Sequence, residues 1–438
     1  MKKTCTVCSE EIESDAIFCS WCGEWQSPVG WHMKAGNPLR SHSPLGAVAA
    51  SYTSSSEFKN VQLEGKGPAE WLLIEGDVAL IGSGSRLAAW SISSIWNASA
   101  SPQSPLWLRS GAYEWAAILR PYLCVGRERR VELIEISTGT ALAEAIDCSW
   151  DLPDPLAIER YSRDLGRFAL LILPTTFGLA ILKLTEDLNG VTKQEVNLPR
   201  DAGPVVGLQM DDEEMVWVCT RSGFLAGAPL TDFWGAEVDP HWERLPLEQP
   251  ADARIVCFSM TGEGACLAGQ LPSGQCFVQI ARAGSVISLT PQTAFNAVPQ
   301  WPLVVDPDRP AVILTDRRRD QWCVVDWGKQ NVQMVHWTDQ EFNAPDLSQC
   351  VTVPRTGPLV LLNSTAVEHD LGQYARLEVD TAHLKPRGIR IIPISRRETL
   401  AAASGSLVMN VDGDTAYMIR GGAQASGKGG HSGAPFSW

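Results

Sequence analysis

The chain is poor in basic residues: 36 Lys+Arg stand against 50 Asp+Glu in 438 residues, a formal charge of −14. Phosphate-rich ligands need clustered Lys and Arg that release counterions, so nucleic acid is not expected as the main partner, although local basic patches remain allowed. Long apolar runs are missing too. The longest charge-free apolar stretch, Phe168 to Leu182, is 15 residues and is broken by Pro174, Thr175, Thr176 and Gly178, whereas a membrane helix needs about 20. It reads as two strands and a turn, and no membrane span is expected. The N-terminus has no secretory apolar core, because Met1-Lys2-Lys3-Thr4 meets Cys5 at once; a cytoplasmic protein is expected.

Catalytic signatures are equally scarce. The seven histidines include no His-x3-His and no His-Glu-x2-His. Gly82-Ser83-Gly84-Ser85 leads from one strand into another with no Lys and no helix N-terminus to hold phosphate, so it reads as a turn. Glu368-His369-Asp370 is the densest polar trio, yet neighbours along a strand point in different directions. Asn410-x-Asp412-Gly413-Asp414 has calcium-like letters without the remaining loop ligands and reads as a hairpin turn. No catalytic residue is assigned, and an enzyme is not expected.

Cysteine, by contrast, is concentrated. Four of the 12 fall in the first 22 residues, as Cys5-x2-Cys8 and Cys19-x2-Cys22, and Gly23 follows the last. Two such pairs supply four thiolates that close a tetrahedral Zn²⁺ shell with no open position, so the metal is structural. The alternative, two redox dithiols, lacks the βαβ context such pairs usually have. The segment Cys-x2-Cys-Ser-Glu-Glu-Ile-x2-Asp-Ala-x-Phe-Cys-x2-Cys-Gly resembles the small zinc-ribbon domains at the ends of many prokaryotic signalling and envelope-associated proteins. The resemblance covers residues 3–25. It implies one zinc ion on Cys5, Cys8, Cys19 and Cys22, with Ile12, Ala16 and Phe18 as a miniature core. Ser9 departs from the glycine often found in the first knuckle, and the intervening loop is short. Lys2 and Lys3 are outnumbered by Glu10, Glu11, Glu13, Asp15 and Glu24, which disfavours nucleic acid for the ribbon as well. The other eight cysteines are scattered singly among apolar segments and read as core thiols in a reducing compartment. Residues 26–56, rich in Ser, Pro, Gly and Ala without apolar period, read as a flexible linker.

From Trp71 onward the sequence falls into units of three short apolar runs and a more polar fourth. Their first strands begin near Trp71, Trp115, Leu156, Val205, Ile255, Trp301, Val351 and Leu400, a period of 40–50 residues. Four strands at that period form a β-propeller blade. In the second unit the expected strands are Glu114–Leu119, Tyr122–Gly126, Val131–Ser137 and Ala141–Asp147. In the fourth they are Val205–Met210, Met215–Thr220, Phe224–Pro229 and Trp242–Leu247. The last unit lacks a fourth strand, and an orphan strand at residues 58–63 precedes the first. The sequence therefore predicts an all-β, eight-bladed propeller over residues 57–420, closed by pairing of that N-terminal strand with the last blade; seven blades is the alternative. Val131-Glu132-Leu133-Ile134-Glu135-Ile136-Ser137-Thr138-Gly139 and Val216–Leu225 resemble the pyrroloquinoline-quinone-like and WD40-like propeller repeats. That resemblance implies blades and no quinone, since no carboxylate cluster for Ca²⁺ accompanies it.

Tryptophan, at 17, matches tyrosine (6) and phenylalanine (11) together. Trp71, Trp90, Trp115, Trp217, Trp301 and Trp322 fall in strands and are assigned to packing between blades. Trp234, Trp242, Trp327 and Trp337 fall near strand ends and are candidate binding anchors. So are Arg127, Arg129 and Arg130 in one hairpin and Arg317, Arg318 and Arg319 in another, although arginines in tight turns are more often simply solvated. The Gly-rich tail, residues 421–438, ends in Pro435-Phe436-Ser437-Trp438, where Phe436 and Trp438 are candidates for a short linear peptide that enters a groove. The favoured expectation is a non-enzymatic scaffold or adaptor with protein partners, similar in layout to accessory components of prokaryotic signalling or conflict systems. An enzyme, small-molecule or glycan site in the propeller channel, and nucleic-acid binding by the ribbon, are the alternatives.

Overall fold

The computed structural model describes residues 57–289 apart from short gaps, and outside that span Lys2–Thr4, Glu10–Glu13, Gly30–Trp31, Met33, Ala50–Ser51 and segments between Leu303 and Ala423. Among the described residues there are seven four-stranded antiparallel sheets and one of five strands, besides two small two-stranded pairings. Their first strands are Ala69–Glu75, Trp115–Leu119, Leu156–Ser162, Val205–Met210, Arg254–Thr261, Leu303–Val305, Val351–Thr352 and Leu400–Ser404. Sheets 1 to 8 are named here in that order. Each is built from consecutive strands except where the chain ends meet.

Sheet 2 shows why these segments become strands. Trp115–Leu119 and Tyr122–Arg127 are apolar almost throughout, and their side chains alternate between two cores. Ala116, Ile118, Leu123 and Val125 pack in the layer shared with sheet 1, while Trp115, Ala117, Leu119 and Cys124 pack in the layer shared with sheets 3 and 4. A strand buried on both faces reads as a continuous apolar run even though its period is two. Further layers lie between sheets 4 and 5 and between sheets 5 and 6. Apolarity falls outward: in sheet 3 every residue of Gly178–Leu184 is buried, whereas the outer strand Val191–Asn197 is mostly exposed. The described strands of sheet 2, Trp115–Leu119, Tyr122–Arg127, Arg130–Glu135 and Ala141–Asp147, lie within two residues of the sequence expectation.

Tryptophan fills the space that glycine leaves. Trp71 is paired across strands with Gly82, Trp115 with Gly126, and Trp217 with Gly227, and in sheet 5 Phe277 is paired with Gly269. In each pair the aromatic ring covers its glycine so closely that a Cβ there would fall on the ring.

The first strands of neighbouring sheets adjoin one another, that of sheet 8 with sheet 1, sheet 1 with sheet 2 and sheet 2 with sheet 3. Sheet 8 is completed by the other end of the chain, since Glu57–Gln62 pairs antiparallel with Thr415–Arg420. Two residues of the stretch read as a linker, Gly30 and Trp31, pair with Glu75 and Ile74 on the free inner edge of sheet 1. Nearby Met33 is 1% exposed, within the layer containing Ala117 and Leu119. Ala50–Ser51 pairs with Gly422–Ala423.

Antiparallel order puts the connections from first to second and third to fourth strands at one end of each sheet, and those from second to third strands at the other. These are called the Glu75 end and the Arg129 end below.

Candidate functional site

Several polar side chains on or beside the inner strands link one sheet to the next. Arg120, at the end of the first strand of sheet 2, is 7% exposed and reaches both neighbours. Its Nη1 lies 3.5 Å from Glu75 Oε1 of sheet 1, and its Nε lies 3.4 Å from Glu159 Oε2 of sheet 3. The Arg120 backbone N–H also donates to Glu159. Sheet 3 continues the series, because Arg160 Nε donates to Glu214 Oε1 of sheet 4 at 2.9 Å. Sheet 4 continues it again: the buried Gln209 amide accepts from the Met260 N–H at 2.9 Å and donates to the Met260 carbonyl at 3.3 Å. Five successive sheets are thus stitched near the Glu75 end. Buried charge pairs of this kind fix geometry more than they add stability.

The Arg127–Arg130 hairpin joins the second and third strands of sheet 2. Glu128 and Arg129 take φ of 50° and 61°, the left-handed pair required by a two-residue type I′ turn and normally supplied by Asn-Gly. Neither is glycine, and both side chains are exposed. Arg130 Nε donates to Asp147 Oδ1 at 2.9 Å, and Arg127 Nη2 lies 3.5 Å from Glu128 Oε1. No partner is recorded for the Arg129 guanidinium among the described residues. Arg109, on the outer strand of sheet 1, donates to the Gly139 carbonyl at 2.9 Å and pairs with Glu132 at 3.4 Å.

Trp234 and Trp242 are half-buried in the connection between the third and fourth strands of sheet 4. The Trp234 ring lies 4.7 Å from Phe168 of sheet 3. Trp242 meets Phe224 and Phe233 edge-on at 6.4 and 6.0 Å, and Arg244 lies 4.7 Å over Phe224. Lys183 anchors this connection: its ammonium donates to Gln194 Oε1 at 3.2 Å, to the Trp234 carbonyl at 3.3 Å and to the Gly235 carbonyl. Burial pushes the Lys183 amine below the ordinary lysine value. The two tryptophans therefore pack the connection onto sheets 3 and 4.

Arg317, Arg318, Arg319, Trp327, Trp337, Phe436, Trp438 and the cysteines Cys5, Cys8, Cys19 and Cys22 lie outside the described residues. Lys2–Thr4 pairs antiparallel with Glu11–Glu13 in register Thr4↔Glu11, and Ile12 is buried.

Sequence reading did not single out Arg120, Glu159 or Lys183, which sit inside apolar runs. It also passed over Leu106 and Leu108 beside or on the outer strand of sheet 1, and Phe177 on the Thr175–Gly178 turn. Among the described residues these are the large exposed apolar side chains, at 55, 51 and 78%. The seven described cysteines, Cys124, Cys148, Cys219, Cys257, Cys266, Cys276 and Cys323, are buried. Among the described residues no helix is long and apolar enough to cross a membrane.

No family model and no curated protein matches this chain. Solved structures do. A structure of the Dos1 propeller superposes with a TM-score of 0.56 at 12% identity, covering 83% of this chain and 94% of that one. A chain of a crystal structure of a mitotic checkpoint complex gives 0.41 at 10% identity, covering 78% and 94%. The Dos1 likeness, with the radial order of the sheets, defines the class: this is a β-propeller protein. At that identity it establishes the fold alone.

Proposed function

We propose that this chain is a non-enzymatic, cytoplasmic interaction scaffold: an eight-bladed propeller that displays protein-binding turns and carries a structural zinc ribbon at residues 1–25. The observation that carries this reading is the Glu128-Arg129 turn. Two exposed non-glycine residues are held in a left-handed conformation that costs about 1–3 kcal/mol each when imposed on ordinary side chains, and the turn presents Arg127, Arg129 and Arg130. Arginine displayed on a rigid turn suits carboxylate groups on a protein partner. In the sequence, Arg317, Arg318 and Arg319 fall between the second and third described strands of sheet 6, Ala311–Thr315 and Gln321–Asp326.

The seam around Arg120 supports a platform role, since its charges are engaged between sheets. The test compares proteins captured from the native host by the parent chain and by an Arg127→Ala, Arg129→Ala, Arg130→Ala variant of equal melting temperature. Specific partners retained unchanged by the variant would exclude these arginines as anchors. Metal analysis should return one zinc per chain, and zinc-free protein with its hairpin intact would remove the ribbon.

A further inference from the structure

The inner-edge strand Gly30–Trp31 has a direction. Gly30 pairs with Glu75 and Trp31 with Ile74, antiparallel to a first strand that runs from Ala69 to Glu75. The chain therefore arrives from the Glu75 end and advances towards the Arg129 end. Cys22 precedes Gly30 by eight residues, which span at most about 28 Å fully extended. The first strand itself is seven residues, or roughly 23 Å, from end to end. A module ending at Cys22 can stand over the Glu75 end without strain, whereas reaching the Arg129 end would use nearly the whole reach of its connection.

We propose that Gly30–Trp31 is a fastener that holds the N-terminal cysteine module over the Glu75 end of the propeller, with the module as the committed occupant of that end. This rests on the reading of residues 1–25 as a folded unit but not on its metal. The C-terminal segment leaves the ring at the same end. Thr415–Arg420 runs antiparallel to Glu57–Gln62, and Gly422–Ala423, just past Arg420, pairs with Ala50–Ser51. The described chain therefore enters the ring at Gly30 and leaves it after Arg420 at the same end. Attraction between charges does not explain the placement, because the module's Glu10 and Glu11 and the ring's Asp77, Glu213 and Glu214 at this end are all exposed acids. Backbone pairing does.

The experiment uses the full chain and a short amine-reactive crosslinker acting from Lys2 and Lys3. One variant, Ser137→Lys, places an acceptor at the Glu75 end of sheet 2; the other, Arg129→Lys, places one at the opposite end of the same sheet. Crosslinks to position 137 should exceed those to position 129 at least fivefold, at low and at high salt. Inserting ten Gly/Ser residues between Cys22 and Gly30 should erase the preference without touching the fold, and Trp31→Pro should do so by breaking the pairing. Equal crosslinking to both ends in the parent background, or a preference that survives the insertion, overturns the proposal. Partner capture and zinc content are read separately, so a failed scaffold or ribbon reading leaves this outcome distinct.

Discussion

At the residue scale the fold depends on the fit between tryptophan and glycine. Gly126→Ala would set a methyl group into the Trp115 indole, and both partners sit in fixed strands. A loss of about 1–3 kcal/mol is expected from overpacking, measured as a lowered denaturant midpoint at constant slope. Arg129→Gly acts in the other direction. At φ 61° glycine is unstrained, so a gain of up to about 1 kcal/mol is expected together with loss of any partner that needs this arginine. The buried thiols set a pH dependence. Burial, with the neighbouring Cys276 adding to it, pushes Cys266 up to about 12. Its thiol stays protonated in the folded chain while the unfolded chain ionises, so stability is full below the ordinary thiol value and falls as pH rises beyond it. A Cys266→Ala chain should lose less stability than the parent between pH of about 9 and 11, read from melting curves. Tryptophan packing was legible because strand tryptophans fall at the repeat period, but which glycine each ring covers depends on cross-strand register, which one strand's letters do not carry.

At the element scale the strands were legible and the links between sheets were not. In sheet 4, Val205–Met210 and Met215–Thr220 coincide with the strands expected from the apolar runs, and the fourth strand shortens to Glu243–Arg244 because Trp242 turns inward onto Phe224 and Phe233. Arg120 gave no signal of its own, since a charged residue before proline at the end of an apolar run reads as an ordinary turn. Its partners, Glu75 and Glu159, lie 45 and 39 residues away. Arg120→Met should cost about 3–5 kcal/mol, because two carboxylates are left at the seam without their cation. Replacing Glu75, Arg120 and Glu159 together with apolar residues should recover most of that loss, a comparison that calorimetry can make. Lys183→Met should free the Trp234 connection and raise its hydrogen exchange while leaving the sheet 2 amides protected.

At the scale of the whole molecule the ring is held by residues from both ends of the chain. Removing residues 1–34 deletes the strand at the inner edge, whereas removing residues 1–62 also deletes the outer strand of sheet 8 and exposes the edge of Thr415–Arg420. The longer deletion should give soluble aggregates by size-exclusion chromatography, because an unpaired edge recruits other chains. The shorter one should remain monodisperse with a lower melting temperature. The 40–50-residue period made the propeller legible from sequence, whereas the place of Gly30–Trp31 was not, since two residues carry no periodicity.

The closing pair also sets an order of events during synthesis. Glu57–Gln62 is synthesised more than 350 residues before its partner Thr415–Arg420. At typical synthesis rates that is about 20 to 70 s in which an early strand waits with its hydrogen-bonding groups unpaired. Sheets 1 to 7 can form in sequence, but the ring itself cannot close until Thr415–Arg420 has been made.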